Sequence, residues 1–221
     1  TSVPRGELAK TIYSTIEGRV ETLFSNSIAA LEEREGGVRV SFDQGPPRDF
    51  DLVVGADGLH SIVRELAFGP ESRFERRLGY RVAAVEVEGY RPRDELVYVA
   101  YAQPGRQVAR FALRGDRTFF FFIFLDEDAR EETTEPDDPE ARKALLHRVF
   151  DDAGWECPRI LGAIDRADDV YFDRVSQIRM DSWSKGRVVV LGDAGACVSL
   201  LAGEGAGLGL TEAYVLAGEL R

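Results

Sequence analysis

Cysteine, histidine and methionine are scarce in this chain of 221 residues, which has two Cys, two His and one Met. Cys157 and Cys197 stand far apart without C-x-x-C spacing, and with only His60 and His147 to join them a metal site is not expected. Two reduced thiols fit a cytoplasmic protein better than a disulfide framework. No apolar run approaches the roughly 20 residues that cross a bilayer. The longest, Phe119–Phe124, has the length of a strand and soon meets Asp126-Glu-Asp128. Thr1 to Lys10 are polar and carry no signal-peptide core, so neither a membrane nor secretion is expected. A basic surplus is lacking too: the net charge of −11 argues against a nucleic-acid surface. Residues 126–140 hold nine acids and one base, so −8 of the −11 belongs to one stretch, read as a solvated acidic loop. The chain also contains no G-x-G-x-x-G.

What is present is 44% hydrophobic and 30% charged, the composition of a globular protein with ample material for a core. Leu8, Ile12 and Ile16 share one face of a helix expected over Gly6–Ile16. Strands are expected at Glu21–Phe24, Ser27–Glu33 and Val38–Phe42, the last two joined through Glu35-Gly-Gly37. Phe50–Val54 is nearly continuous and apolar, as in a strand covered on both faces, and Asp57 to Leu66 turns into a short helix. From Gly79 the texture changes. Tyr80–Val87, Leu96–Ala102, Gln107–Leu113 and Thr118–Leu125 alternate between short turns and predict an antiparallel sheet. Helices are expected at Pro139–Ala153, with Ala144, Leu145, Val149 and Phe150 inward, and at Ile160–Ala167. Val170–Arg179 reads as a returning strand, Gly186–Gly192 as a buried one, and Leu208–Leu220 as a closing helix.

Two segments carry the chemistry. Asp51-Leu-Val-Val-Gly-Ala-Asp57-Gly58 runs on through Ser61 to Arg64. Gly186-Arg-Val-Val-Val-Leu-Gly192-Asp193 is followed by Ala202-Gly-Glu-Gly-Ala-Gly-Leu-Gly209. Each is a branched apolar strand ending in Gly and Asp, where backbone and carboxylate could meet a nucleotide. Asp57 could instead simply cap the helix after it. The glycines from Gly203 to Gly209 could be only a close-packed helix start, and their spacing does not suit a nicotinamide dinucleotide loop.

The order and spacing of these segments resemble the flavoprotein aromatic hydroxylases of the para-hydroxybenzoate hydroxylase type. The resemblance implies an α/β chain: a partial glutathione-reductase-type FAD-binding domain with an inserted antiparallel β-sheet substrate domain. It divides the chain into 1–71, 72–180 and 181–221, the outer pieces forming one FAD domain. Members of that family open with a strand, a G-x-G-x-x-G turn and a helix holding the FAD pyrophosphate. Without that segment, the chain resembles a fragment that would hold FAD weakly and self-associate through uncovered sheet.

By the same resemblance, Asp193 with Gly192 would bind the ribityl chain of FAD, and Gly203, Gly205, Ala206 and Gly207 would bring backbone N–H groups to the flavin ring. Asp57, Gly58 and Arg64 would lie near FAD and the nicotinamide nucleotide, and Arg5, in Pro4-Arg-Gly-Glu-Leu8, would reach the flavin or its phosphates. Where the family commonly has Asp-Ala-Ala-His and a Pro-Pro pair, this chain has Asp193-Ala-Gly-Ala196 and Ser199-Leu200, which puts the substrate class in doubt. His60 falls at a variable position and is expected to be merely exposed. One set of the Phe119–Phe124 rings must face a core, and the other could face a second core or a planar substrate.

The implied activity is an FAD-dependent, NAD(P)H-consuming monooxygenase acting on an aromatic or polycyclic small molecule, with no catalytic side-chain nucleophile. Two other readings stay open: a flavin-dependent reductase or halogenase of the same fold, and a non-catalytic fragment that no longer binds FAD. A halogenase would be expected to place a lysine at its pocket, and Lys10, Lys143 and Lys185 are the only candidates.

Overall fold

A computed structural model describes residues 5–92, 97–126 and 138–221, apart from the side chain of Arg5. Most of the acidic stretch 126–140 lies outside the described residues. The chain forms two compact units, one comprising the residues up to Val54 together with Ser184–Val189, the other Gly55–Trp183 with Val190–Arg221.

In the first unit, helix α1 (Arg5–Ile16) precedes a three-stranded antiparallel sheet of β1 (Ile28–Arg34), β2 (Gly37–Phe42) and β3 (Arg48–Phe50). Val38 and Val40 of the central strand are its buried residues, as period-two alternation requires. Gly37 is obligatory for packing, because a Cβ there would lie 2.8 Å from the Phe50 carbonyl oxygen. The strand expected at Glu21–Phe24 does not form; the segment runs through an irregular turn in which Ser25 takes a positive φ of 54°. The expected run Phe50–Val54 is likewise broken. A bend at Asp51-Leu52 separates β3 from β4 (Val53–Gly55), where Val53 is buried and Val54 is exposed rather than covered on both faces. The Val53 N–H donates to the Arg187 carbonyl at 2.9 Å, beside the short ladder of β10 (Ser184–Lys185) and β11 (Val188–Val190).

The second unit is built on a five-stranded antiparallel sheet. Its members are β5 (Glu75–Glu88), β6 (Tyr98–Gln103), β7 (Arg106–Ala112), β8 (Arg117–Leu125) and β9 (Tyr171–Ile178), in the order β6-β7-β8-β5-β9. One face is closed by α3 (Pro139–Phe150) and α4 (Cys157–Ile164). Phe120, Phe122 and Phe124 point into this core with Val85, Val108, Leu146, Phe150 and Ile160. Each fully buried side chain of this size contributes about 1.5–3 kcal/mol, so the three rings anchor the unit. Helix α3 is rolled from the expected orientation: Leu146 is buried, Ala144 is exposed, and the Lys143 stem is covered while its ammonium bonds Glu140 and the Asp165 carbonyl.

The alternate side chains of β8, Phe119, Phe121 and Ile123, are only half-buried on the opposite face. There Tyr98, Phe111 and Phe119 form an aromatic row, the Tyr98–Phe111 centroids 4.5 Å apart and the Phe111–Phe119 centroids 5.9 Å apart. The two faces of the phenylalanine strand therefore differ: one is core and the other is an apolar surface.

Helix α2 (Ile62–Phe68) docks on the strand ends through Gly55, where an added Cβ would stand 2.7 Å from the Val63 Cβ and 3.0 Å from Val190 Cγ1. Gly55→Ala is accordingly expected to cost about 1–3 kcal/mol through overpacking. Denaturant unfolding measures it, and an unchanged midpoint would mean that α2 yields without cost.

Candidate functional site

The start of α2 brings together Asp57, Ser61 and Arg64. Gly58 turns the chain at φ 86°, which favours glycine. The Asp57 carboxylate is occupied by the helix it precedes. Oδ1 accepts the Ser61 hydroxyl at 2.5 Å and Oδ2 the Val63 N–H at 3.0 Å, while Ser61 Oγ accepts the Arg64 N–H at 2.9 Å. This is a double cap of the orphan N–H groups. The Arg64 guanidinium is fully buried, and its two terminal nitrogens are bonded to protein groups while Nε is left without a partner. Nη1 donates to the Ala194 carbonyl at 3.0 Å, and Nη2 to the Leu59 carbonyl at 2.8 Å and Glu71 Oε2 at 2.6 Å.

The second segment forms a strand–turn–helix. Leu191 N–H donates to the Gly55 carbonyl at 2.9 Å, after which Gly192 turns at φ 61°, ψ −144°, a conformation open in practice to glycine alone. A four-residue helix, α5 (Asp193–Ala196), follows, and then α6 (Gly205–Glu219). Helix α6 approaches the turn closely at Gly209, where a Cβ would lie 3.6 Å from the Gly192 Cα. The Glu212 carboxylate of α6 accepts the Gly192 N–H at 2.5 Å.

The geometry therefore sets Asp193 against the N-terminus of α6: its Oδ1 lies 3.3 Å from where a Gly205 Cβ would be. The cap residue of α6, Glu204, makes no side-chain cap bond, and the first intrahelical bond from this end runs from the Leu208 N–H. The N–H groups of Gly205, Ala206 and Gly207 thus precede the helical ladder, and Gly203 enters it from a left-handed turn at φ 70°. Such an end favours an electron-rich or anionic partner. Burial, helped by the nearby Asp193 charge, pushes the Cys197 thiol up to about 11, which disfavours the thiolate.

Of the residues expected to bind cofactor, Gly192, Asp193, Gly203, Gly205, Ala206 and Gly207 are held in one strand–turn–helix. Asp57 and Gly58 sit at the start of α2, with Asp57 acting as its cap. Arg64 is buried in α2, its two terminal nitrogens donating to the Ala194 and Leu59 carbonyls and to Glu71, while its Nε has no hydrogen-bond partner. Arg5 begins α1, and its side chain lies outside the described residues. Of the three lysines, Lys10 pairs with Glu7 on the surface, Lys143 is held by Glu140 and the Asp165 carbonyl, and Lys185 is exposed in β10.

His60 is exposed, as expected, and it also stands between two carboxylates. Its Nδ1 stands 3.0 Å from Glu71 Oε1 and its Nε2 3.4 Å from Asp173 Oδ1 on β9. The hydrogen bond to Asp173, opposed by partial burial and reinforced by Glu71, raises the imidazole from 6.5 to about 9. Burial alone would raise the Asp173 carboxyl, but the bonds from His60 and Tyr171 hold it below its usual value. A raised histidine value means the protonated partner stabilises the fold fully below about 6.5 and is lost as pH climbs through about 9. Between about pH 7.5 and 10, the melting temperature of the wild type should therefore fall more than that of His60→Gln. Parallel pH profiles would remove His60 from the account.

The chain matches a known family. The model of the FAD binding domain matches residues 3–221. The chain belongs to this FAD-binding family of flavin-dependent monooxygenases.

Among its relatives, protein Rv1260 of Mycobacterium tuberculosis is 40% identical over 217 residues, covering 98% of this chain and 58% of that protein. A flavin-dependent monooxygenase of Legionella longbeachae is 32% identical, over 98% of this chain and 55% of that protein. Among solved structures, the tetracycline destructase Tet(55) superposes with a TM-score of 0.86 at 30% identity, covering 98% of this chain and 56% of that one. Klebsiella pneumoniae HpxO, complexed with FAD and uric acid, superposes at 0.72 with 28% identity, over 98% of this chain and 54% of that one. The chain spans a little over half the length of these relatives.

Proposed function

We propose that this chain supplies the ribityl and ring side of an FAD site, together with the sheet that covers a substrate, in an FAD-dependent monooxygenase consuming NAD(P)H. The observation that carries this reading is the Asp193 carboxylate standing against the unspent N–H groups of α6. An acceptor beside donors fits the polar edge of a flavin: Asp193 accepts from a ribityl hydroxyl, and the helix end meets the electron-rich ring. The absence of side chains at Gly203 and Gly207, where an added Cβ would meet nothing within 4 Å, leaves room for a flat group to approach the backbone.

FAD, when bound, supplies the redox chemistry, taking a hydride from NAD(P)H and delivering one atom of dioxygen to the substrate. The protein's part is binding, orientation and exclusion of water. The N-terminus of α6 stabilises negative charge near the ring. Asp57, Ser61 and Arg64 hold the framework, and no side-chain nucleophile is required. The proposed division into an FAD domain (1–71 and 181–221) and a substrate domain (72–180) assigns β5–β9 to the substrate. Their open face, with Tyr98, Phe111, Phe119 and Phe121, suits a planar aromatic or polycyclic molecule. The small molecules named with relatives, tetracycline for Tet(55) and uric acid for HpxO, are both fused-ring compounds.

Titration with FAD, followed by quenching of flavin fluorescence, tests the first half of the proposal. For the second, Phe119→Ala should leave flavin binding unchanged while lowering the affinity for a planar aromatic probe several-fold, since one lost aromatic contact is worth about 0.5–1.5 kcal/mol beyond its area. Equal probe binding by both proteins would remove the open face from the site.

A further inference from the structure

We propose that Arg64 is the positioning residue for Asp193: its guanidinium clamps α5 to α2, and Glu71, His60 and Asp173 hold that clamp against β9. The inference rests on the flavin-site reading for its consequence, but its geometry stands alone.

Helix α5 has only four residues and little internal bonding, the Gly195 and Ala196 N–H groups both returning to the Gly192 carbonyl. A helix this short is not stable by itself. The carbonyl of Ala194, next to Asp193, is taken by Arg64 Nη1 at 3.0 Å. The other end of the segment is tied to β9, the Ile178 N–H donating to the Cys197 carbonyl at 3.0 Å and Gln177 Nε2 to the Val198 carbonyl at 3.0 Å. Asp193 thus stands in a segment anchored at both ends, and Arg64 is the anchor on its own side.

The anchor is itself oriented. Glu71 divides its carboxylate between Arg64 (Oε2, 2.6 Å) and His60 (Oε1, 3.0 Å). His60 reaches on to Asp173 Oδ1 at 3.4 Å, and Asp173 Oδ2 accepts the Tyr171 hydroxyl at 2.8 Å. Cations and anions alternate along this line, Arg64–Glu71–His60–Asp173, from α2 to β9. The same strand β9 holds the far end of the Asp193 segment, so the contacts close into a ring through α2, α5 and β9. Arg64 must serve two carbonyls and a carboxylate in different directions. The planar fork of a guanidinium does this, and the point charge of an ammonium does not.

Amide hydrogen exchange on the protein, with FAD titration beside it, tests the proposal. Arg64→Lys is expected to speed exchange of residues 192–197 by on the order of tenfold, with FAD affinity weakened by a similar factor, while β7 and β8 keep wild-type protection. Because a buried lysine could unfold the protein, His60→Gln on the surface is the second variant. It should speed the same segment a few-fold and leave the rest of the unit unchanged. Wild-type exchange at 192–197 in both variants would overturn the proposal. So would a uniform rise across the sheet in Arg64→Lys together with no effect of His60→Gln. Asp193→Ala separates the two levels of the argument. Lost FAD binding with slow exchange at 192–197 supports both. Wild-type FAD binding by Asp193→Ala sinks the flavin reading, while the exchange data still decide the role of Arg64.

Discussion

In the complete enzyme, replacing Asp193 with alanine is expected to weaken FAD binding by roughly ten- to a hundredfold, the worth of one charge-assisted hydrogen bond of about 1.5–3 kcal/mol. Asp57→Ala should weaken it less. The difference follows from where the two carboxylates are directed. Both oxygens of Asp57 are used by α2, through the Ser61 hydroxyl and the Val63 N–H, so its loss is first a loss of a helix cap. That costs about 0.5–2 kcal/mol of stability. Asp193 instead faces the start of α6, where the glycines leave space for a ligand. Flavin titration of the two variants, with a denaturant curve for each, distinguishes the effects. If Asp193→Ala binds FAD as the wild type does, Asp193 is not the acceptor and the proposed site must be abandoned.

The parts of this site that are legible in the sequence are those set by local rules. A branched apolar run that ends in Gly-Asp makes a strand end, and the glycine run after it makes a helix start, so Gly192, Asp193 and Gly205 can be placed from local pattern alone. The alternating strands β5, β7 and β8 are legible for the same reason, since period two shows directly in Phe119–Phe124. The break at Asp51-Leu52 is not, because a five-residue run with four apolar members reads as one strand whether or not a bend divides it. Ala144 and Leu146 exchange roles because an apolar pattern with two solutions does not fix the roll of a helix until the sheet beneath it is known.

Long-range polar contacts are invisible for a different reason. Nothing near His60 in the sequence announces Asp173, nor does anything near Gly192 announce Glu212. These bonds exist only after the fold has brought distant segments together. Arg64 is a different case. Its spacing in the Asp57-Gly58 segment marks it as important, and its bond to the Ala194 carbonyl is the basis for the proposal that it holds α5. Residues can mark a binding segment because they build it, without touching the ligand.

Arg64→Ala should therefore destabilise the protein more than Gly55→Ala, Asp57→Ala or any His60 variant, costing about 3–5 kcal/mol, as when one partner of a buried ionic contact is removed. In a chain of this size that lowers the melting temperature by roughly 10 °C. The Ala194 and Leu59 carbonyls lose their guanidinium donors, a cavity replaces the side chain, and Glu71 keeps only His60. His60→Ala should cost less than about 1 kcal/mol, because its ion pairs lie largely at the surface where solvent screens them. The contrast is the measurement: two residues of one charge chain, one buried and one exposed, should differ several-fold in thermal and denaturant unfolding. Similar small losses for both would show that the Arg64 contacts are replaceable by solvent, and the clamp on α5 would lose its energetic basis.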